Sequence, residues 1–565
     1  MRRLLTWPAA CLCLAMLAWT THPVVWAGPI DSDPPATKAT QAAATTEADE
    51  PEAVLEQALD HERQRNWTGA IEIYRKAVER WPSRAEFGRR LRLCELHFKL
   101  IRRYQDVSFR GVLLRLPREQ AIDLYTEVLD RILTNYVDPV PLEPLVRHGL
   151  DNLEVALRDP LFLRTNVGTA APERVNSLRD QLRKLRGQLS VPDRNAAVQL
   201  ALYAAQLAQQ AIELPPTPVL LEFTCGSCDA LDDFTSYLTP DKLEDLYAMI
   251  DGNFVGLGIE LKNDPKGLRL VGVIRGGPAW EAGLQSGDRI VKVAGQPVSG
   301  LSLDEAANRL QGTEGTSIDL EILQRDGQRK ALRLVRRHVD VESITRAKLI
   351  DPAEGIGYVQ LTGFQKTSTE ELDQAVSGLE AMGMTTLILD LRGNPGGLLN
   401  VAVEIAERFL DDGVIVSTRG RAAGQSQILR ASGKARWRMP MALLVDHDSA
   451  SASEILAGAL QDHQRATVIG ERTYGKGSVQ SIFSLRSAPA GLKLTTAKFY
   501  SPRNRPYSEQ GVTPDIPVKT RLSAKPAAGG GEENLLEEAV IGDPQLDPVL
   551  AAALRSIRSR SQAAR

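Results

Sequence analysis

Cysteine is scarce in this chain, with five in 565 residues. Two of them, Cys11 and Cys13, fall in an apolar N-terminal stretch, leaving Cys94, Cys225 and Cys228 for the rest. The last two form "CGSC", but no second C-x-x-C and no histidine pair accompanies them. A zinc site therefore lacks ligands, and without a thioredoxin-like βαβ pattern a catalytic redox pair has no frame. In an oxidising compartment the expected state is a structural disulfide. A long basic run is also missing, and the formal charge is only -3. Nucleic-acid binding has no support from such a balance. Beyond the N-terminus no apolar run approaches the ~20 residues that a spanning helix needs.

What is present begins with a leader. Arg2 and Arg3 precede "CLCLAMLAW", and "VWA" ends at Ala27. A charged start, a short apolar run and a small residue before a cut describe a secretory signal over 1–27. The expected mature protein is exported, to the periplasm or another extracytoplasmic space, with membrane association only if the signal is retained. Apolar content of 43% with 25% charge belongs to folded chains. The length exceeds what one hydrophobic core serves, so several domains are expected.

Residues 28–51 are rich in Pro, Ala, Thr and acid, and read as a linker. In 52–105, "ALDHERQRNWTGAIEIYRKAVERWP" sets Ala58, Ala70, Tyr74, Ala77 and Pro82 at spacings typical of a tetratricopeptide helix pair. An ordinary helical hairpin fits the same residues. Residues 106–250 continue as helices, with Leu124, Val128, Ile132 and Leu133 on one face and Leu178, Leu182, Leu185 and Leu189 on another. These are core stripes.

At Gly252 the pattern changes to short strands and turns. "NFVGLGIEL" is a glycine-punctuated loop feeding a strand, and "GGPAWEAGLQSGDRIVKV" is a short helix, a turn and a strand. "SLDEAANRL" carries Ser302 and Glu305 in capping-box spacing. "SIDLEILQRDGQRKALRLV" alternates and then turns at Asp326-Gly327, a hairpin signal. Residues 252–340 look like a PDZ domain in the permuted form of bacterial proteases. Such a domain captures a chain terminus by strand addition, and the matching carboxylate loop is Gly256, Leu257, Gly258 and Ile259.

From 341 to 520 buried strands alternate with helices, the mark of an α/β core. Three segments there carry chemistry. "DLRGNPGG", Asp390 to Gly397, follows an apolar strand and can aim amides at a developing oxyanion. It lacks the residues of a phosphate loop. "DSASASEI" sets Ser449, Ser451 and Ser453 where a strand gives way to a helix. Capping explains any one of them, and the helix N-terminus also favours negative charge. "YGKGSVQ" sets Lys476 between two glycines, where it has little packing purpose. A lysine in a dry pocket loses proton affinity and can serve a serine as base. His447 and His463 lie nearby, and no spacing favours either. Gln480 is placed to hold the lysine amine. Residues 521–565 read as linker and packing segment.

Together these segments resemble the carboxyl-terminal processing (tail-specific) protease family. The likeness runs from "LDRILTNYVDPV" through "LDDFTSYLTPDKLEDL", "GNFVGLGIEL", "DLRGNPGG" and "SASASEILAGALQDHQRATVIGERTYGKGSVQ" to "GVTPDIPV" and "DPQL". It implies Ser451 as nucleophile, Lys476 as general base, Gln480 as the residue orienting the lysine, and the Gly396 and Ala452 amides as oxyanion hole. Ser449 and Ser453 are then left with capping. The implied fold is multidomain α+β: a helical N-terminal region, a PDZ-like β-domain and a crotonase- or Clp-protease-like α/β core. Neither cofactor nor metal is implied, and the partners are polypeptides with free C-termini. Residues 158–222, the tetratricopeptide-like segment and "CGSC" depart from the family pattern. The helical segment at 52–105 would suit an adaptor or partner protein. The alternatives are a catalytically silent peptide-binding scaffold and a C-x-x-C oxidoreductase.

Overall fold

The computed structural model describes residues 51–264, 267–298, 306, 309–433, 435–519 and 542–563. The expected signal peptide, the linker up to residue 50, the Ser302–Glu305 capping pair and residues 520–541 lie outside the described residues.

Helices Pro51–Arg63 and Trp67–Arg80 form the antiparallel pair expected from the Ala/Tyr spacing, with Ala58, Ala70, Tyr74 and Ala77 buried in a small core. The next helix, Ala85–Gln105, runs from that core into a larger one through Leu100 and Tyr104. There it meets Arg118–Asn135, Leu142–Ala156, Pro172–Gly187, Arg194–Ile212 and Pro216–Asp229. Leu178, Leu182 and Ala201 share this core with Leu124 and Leu153, so the 158–222 segment is built into the helical region rather than appended to it. Leu492 and Leu494, from a strand of the α/β core, close the same cluster.

The PDZ unit is an antiparallel sheet in which Ile259–Asp264 forms one edge, followed by Gly267–Val273, Arg289–Val293, Ser317–Leu323 and Arg329–Val335. Asn253–Gly256, expected as loop, is a strand paired with Arg337–Asp340, and this ribbon leads into and out of the unit. Gly258 has φ +72°. A Cβ there would lie 3.3 Å from the Gly277 backbone, so the turn into the edge strand suits glycine.

The α/β core holds a six-stranded sheet in the order Ile344–Asp351, Ile356–Leu361, Thr386–Asp390, Met441–Val445, Thr467–Gly470 and Ile516–Pro517, parallel after the first pair. Its central strands are buried throughout, which is why they read as continuous apolar runs. A second, antiparallel sheet joins Ser236–Leu238, Gly491–Tyr500, Val414–Gly420 and Gln427–Arg430, with Ser478–Ser484 also paired to Gly491–Tyr500. The C-terminal helix Pro548–Ala563 packs Val549, Leu550 and Ala553 against Tyr358, Ile388 and Leu444.

Candidate active site

Strand Met441–Val445 ends beside Thr386–Asp390, and the chains leaving these two parallel strands meet in the candidate site. Ligands in open α/β sheets bind at such carboxyl ends. After the first strand, helix Ala452–Asp462 begins with Ser451 as its N-cap residue. Ser451 has φ +56° and ψ -112°, an uncommon backbone state for a residue with a Cβ. Strain of this kind persists only where surroundings impose it. The residue is fully buried; its Oγ faces the Glu454 N–H in a capping box but forms no well-shaped hydrogen bond.

The other two serines are not the helix caps expected of them. Ser449 Oγ donates to the Leu391 carbonyl at 2.8 Å, and Ser453 Oγ donates to the Asn394 carbonyl at 2.9 Å. Both hydroxyls therefore stitch the serine turn to the "DLRGNPGG" loop, which local sequence could not disclose. Ala450 N–H donates to the same Asn394 carbonyl at 3.1 Å.

Within that loop Gly396 has φ +105°, and a Cβ on it would lie 2.9 Å from both Ser451 Cβ and Ala452 N. Only glycine allows this approach. The Ala452 amide stands in the first turn of its helix, where N–H groups lack an i-4 carbonyl. The Gly396 amide, by contrast, donates to Asn394 Oδ1 at 2.9 Å. This Asx contact departs from the open oxyanion donor that the sequence led us to expect.

Glu454, unremarked in the sequence, joins the two remaining pieces. Its Oε2 accepts Ser451 N–H at 2.7 Å and Lys476 N–H at 2.9 Å. Its Oε1 accepts Thr473 Oγ1 at 2.6 Å and Gly475 N–H at 2.7 Å. Burial pushes the Glu454 carboxyl above its ordinary value, opposed by these four bonds. The available signal was the Ser451-x-x-Glu454 spacing of a capping box. Replacing Glu454 by Gln leaves at most one oxygen for four donors. The loss of a charged bond of about 1.5–3 kcal/mol is expected to lower kcat/KM by roughly 10- to 150-fold. Initial-rate kinetics beside a thermal melt will read it, and an unchanged rate in a folded variant would remove Glu454 from the site.

Lys476 is 4% exposed, with Nζ 4.9 Å from the Phe234 ring centroid. Phe234 arrives from the segment that closes the helical region, whose Asp232 Oδ1 accepts Phe234 N–H and Thr235 N–H. Gln480 is buried on strand Ser478–Ser484; its Nε2 donates to Ser478 Oγ at 2.9 Å and Thr495 Oγ1 at 3.3 Å. Its Oε1 is left buried without a partner. The histidines do not compete: His463 Nε2 contacts the Val414 carbonyl at 2.8 Å, and His447 is exposed beside Asp448.

Cys225 and Cys228 are free thiols, not the expected disulfide. They sit one turn apart near the end of the regular helix Pro216–Asp229, inside the helical core. Burial pushes the Cys225 thiol up to about 12. A redox nucleophile needs the opposite shift, so the oxidoreductase reading loses its support.

Ser451 is thus buried at a strained strand-to-helix turn on an α/β core, and Glu454 ties its peptide to that of Lys476. The model of peptidase family S41 matches residues 355–518, and a PDZ model matches 269–324. The chain is 38% identical over 347 residues to the carboxy-terminal-processing protease of Bartonella bacilliformis, covering 59% of this chain and 78% of that one. It is 38% identical over 296 residues to the carboxyl-terminal-processing protease of Synechocystis sp., covering 52% and 69%. The chain therefore belongs to peptidase family S41, with the carboxyl-terminal-processing proteases. Among solved structures, a photosystem II D1 C-terminal processing protease aligns over 76% of this chain and 99% of its own at 26% identity, with a TM-score of 0.39. Relatives named as proteases give the silent-scaffold alternative no support.

Proposed function

We propose that the protein is an exported endopeptidase that hydrolyses peptide bonds near the C-termini of polypeptides, with Ser451 as nucleophile and Lys476 as general base. The observation carrying this reading is the shared Glu454 oxygen. It fixes the serine and lysine peptides against one another, in a site where Ser451 Oγ and Gln480 Oε1 are both buried and unpaired. A buried polar atom without a well-formed partner calls for an explanation, and a part in proton transfer supplies one for these two.

Neutral Lys476 takes the Ser451 proton as Oγ attacks the scissile carbonyl. The Phe234 ring face stabilises the ammonium that results. Gln480 Oε1 accepts from that ammonium and keeps it oriented. Negative charge on the carbonyl oxygen is met by the Ala452 amide and the positive end of its helix. At Gly396 the oxyanion competes with Asn394 Oδ1 for the amide. The lysine returns its proton to the leaving amine, and water then releases the acyl group by the same route.

Tail capture falls to the PDZ unit, through Gly256–Ile259 and the edge strand that follows, by strand addition. Export rests on the leader at 1–27; among the described residues no helix is long and apolar enough to cross a membrane. The helices over 52–105 are offered as the seat of an adaptor protein.

The test is covalent labelling of the full-length protein with a serine-directed phosphonofluoridate, followed by peptide mass mapping. A single label on Ser451, blocked by a free-carboxylate peptide, is expected. Cleavage of that peptide with no label at Ser451 would overturn the reading.

A further inference from the structure

The "DLRGNPGG" loop is held from behind by a residue at the far end of the chain. Arg392 is buried between two buried carboxylates, Asp390 and Asp547. Its Nε donates to both Asp390 oxygens at 3.0 Å, and its Nη2 donates to Asp390 Oδ2 at 2.6 Å. Toward Asp547 it makes a bidentate pair, Nη1 to Oδ1 at 3.0 Å and Nη2 to Oδ2 at 2.7 Å. Tyr358 O–H donates to Asp390 Oδ2 at 2.7 Å. Burial opposes the charge on Asp547, yet Arg392 holds its carboxyl below the ordinary value.

Asp547 also organises its own segment. Its Oδ1 accepts Val549 N–H at 3.1 Å and Leu550 N–H at 3.0 Å, and its Oδ2 accepts Gly542 N–H at 3.2 Å. One carboxylate thus caps the C-terminal helix and grips the loop guanidinium, 155 positions away in sequence.

The loop has little slack between that grip and the serine. Gly393 N–H donates to both Asp446 oxygens at 3.0 Å. The Asn394 carbonyl accepts Ala450 N–H and Ser453 Oγ, and Asn394 Oδ1 holds the Gly396 amide. Every residue from Arg392 to Asn394 is anchored, and Asn394 touches the residue before Ser451 and the second one after it.

We propose that Asp547 is a positioning residue for the reaction: through Arg392 it sets the loop that presents the Gly396 amide beside Ser451. The inference rests on the assignment of Ser451 and Gly396 above. Docking of the C-terminal helix is a separate matter, since Val549, Leu550 and Ala553 bury an apolar face of their own. Loss of the charge at 547 therefore loosens the loop without undocking the helix.

Steady-state cleavage of a free-carboxylate reporter peptide by the full-length protein tests this, comparing Asp547→Asn, Leu550→Ala and wild type, with a thermal melt for each. Asp547→Asn is expected to lower kcat by roughly 10- to 100-fold with KM within about twofold, the mark of misplaced groups in the transition state. Leu550→Ala is expected to melt earlier but keep its kcat below the melt. A wild-type kcat in folded Asp547→Asn would overturn the proposal, and so would equal kcat losses in the two variants. Should Asp547→Asn fail to fold, Arg392→Lys keeps the charge and loses the bidentate fork. The same kcat loss is expected of it, and full activity would sink the idea. Ser451→Ala in the same assay separates the two claims. If it still cleaves, the Ser–Lys reading falls; if it is inert while Asp547→Asn runs at full speed, only this inference falls.

Discussion

Ser451→Ala is expected to abolish peptide cleavage, with kcat reduced by roughly 10^4-fold or more, while the protein melts no earlier than wild type. The two effects have one origin. The Ser451 hydroxyl is fully buried and keeps only the loose capping-box contact with the Glu454 N–H, so removing it loses little and relieves part of a desolvation cost of about 1–3 kcal/mol. The backbone strain at φ +56° stays, because alanine also carries a Cβ. Ser449→Ala and Ser453→Ala should behave in the opposite way. Each deletes a hydroxyl that holds the "DLRGNPGG" loop, at a cost of about 1 kcal/mol, and each leaves the Ser451 hydroxyl in place. Differential scanning calorimetry beside initial rates reads both signs. A Ser451→Ala protein that retains a tenth of the wild-type kcat, or that loses stability like its neighbours, would mean that the serine is a cap and another group attacks.

The contrast between the three serines marks where sequence reading reached its limit. The order of strands and helices was legible because buried parallel strands are apolar throughout and the flanking helices keep their period. Family motifs then nominated Ser451, Lys476 and Gln480. What the motifs could not supply were contacts between distant pieces of chain. An acid in the first turn of a helix is ordinary, so the capping-box spacing of Glu454 signalled no more than a helix start until Thr473, Gly475 and Lys476 were seen to converge on it. Asn394 was one more loop residue until its side chain claimed the Gly396 amide. The amphipathic stripe of 172–187 gave its apolar face but not what covers it, and the segment read as an insertion shares its core with the flanking helices. Periodicity names a buried face and leaves its neighbour unnamed.

Lys476→Arg is expected to be as inactive as Lys476→Ala, each losing roughly 10^2- to 10^4-fold in kcat. If the lysine only supplied positive charge near the oxyanion, arginine would keep much of the activity. As a base it must shed its proton, and a guanidinium does not. The arginine would also have to fit a buried site already bounded by the Phe234 ring. A second buried lysine provides the internal control. Lys493 is as buried as Lys476, and burial pushes its ammonium down to about 8. Its position is wrong for the role: it pairs opposite Ile482, beyond Gln480 and on the side away from Lys476. Among the described residues no side chain is seen to tie its peptide to the Ser451 turn as Glu454 ties that of Lys476. Lys493→Met should therefore keep kcat within a few-fold of wild type. Rates above neutral pH, where a free amine is easiest to form, give the clearest separation of the three variants. A silent Lys493→Met beside an active Lys476→Arg would exchange the two lysines, and with them the direction from which the proton leaves Ser451.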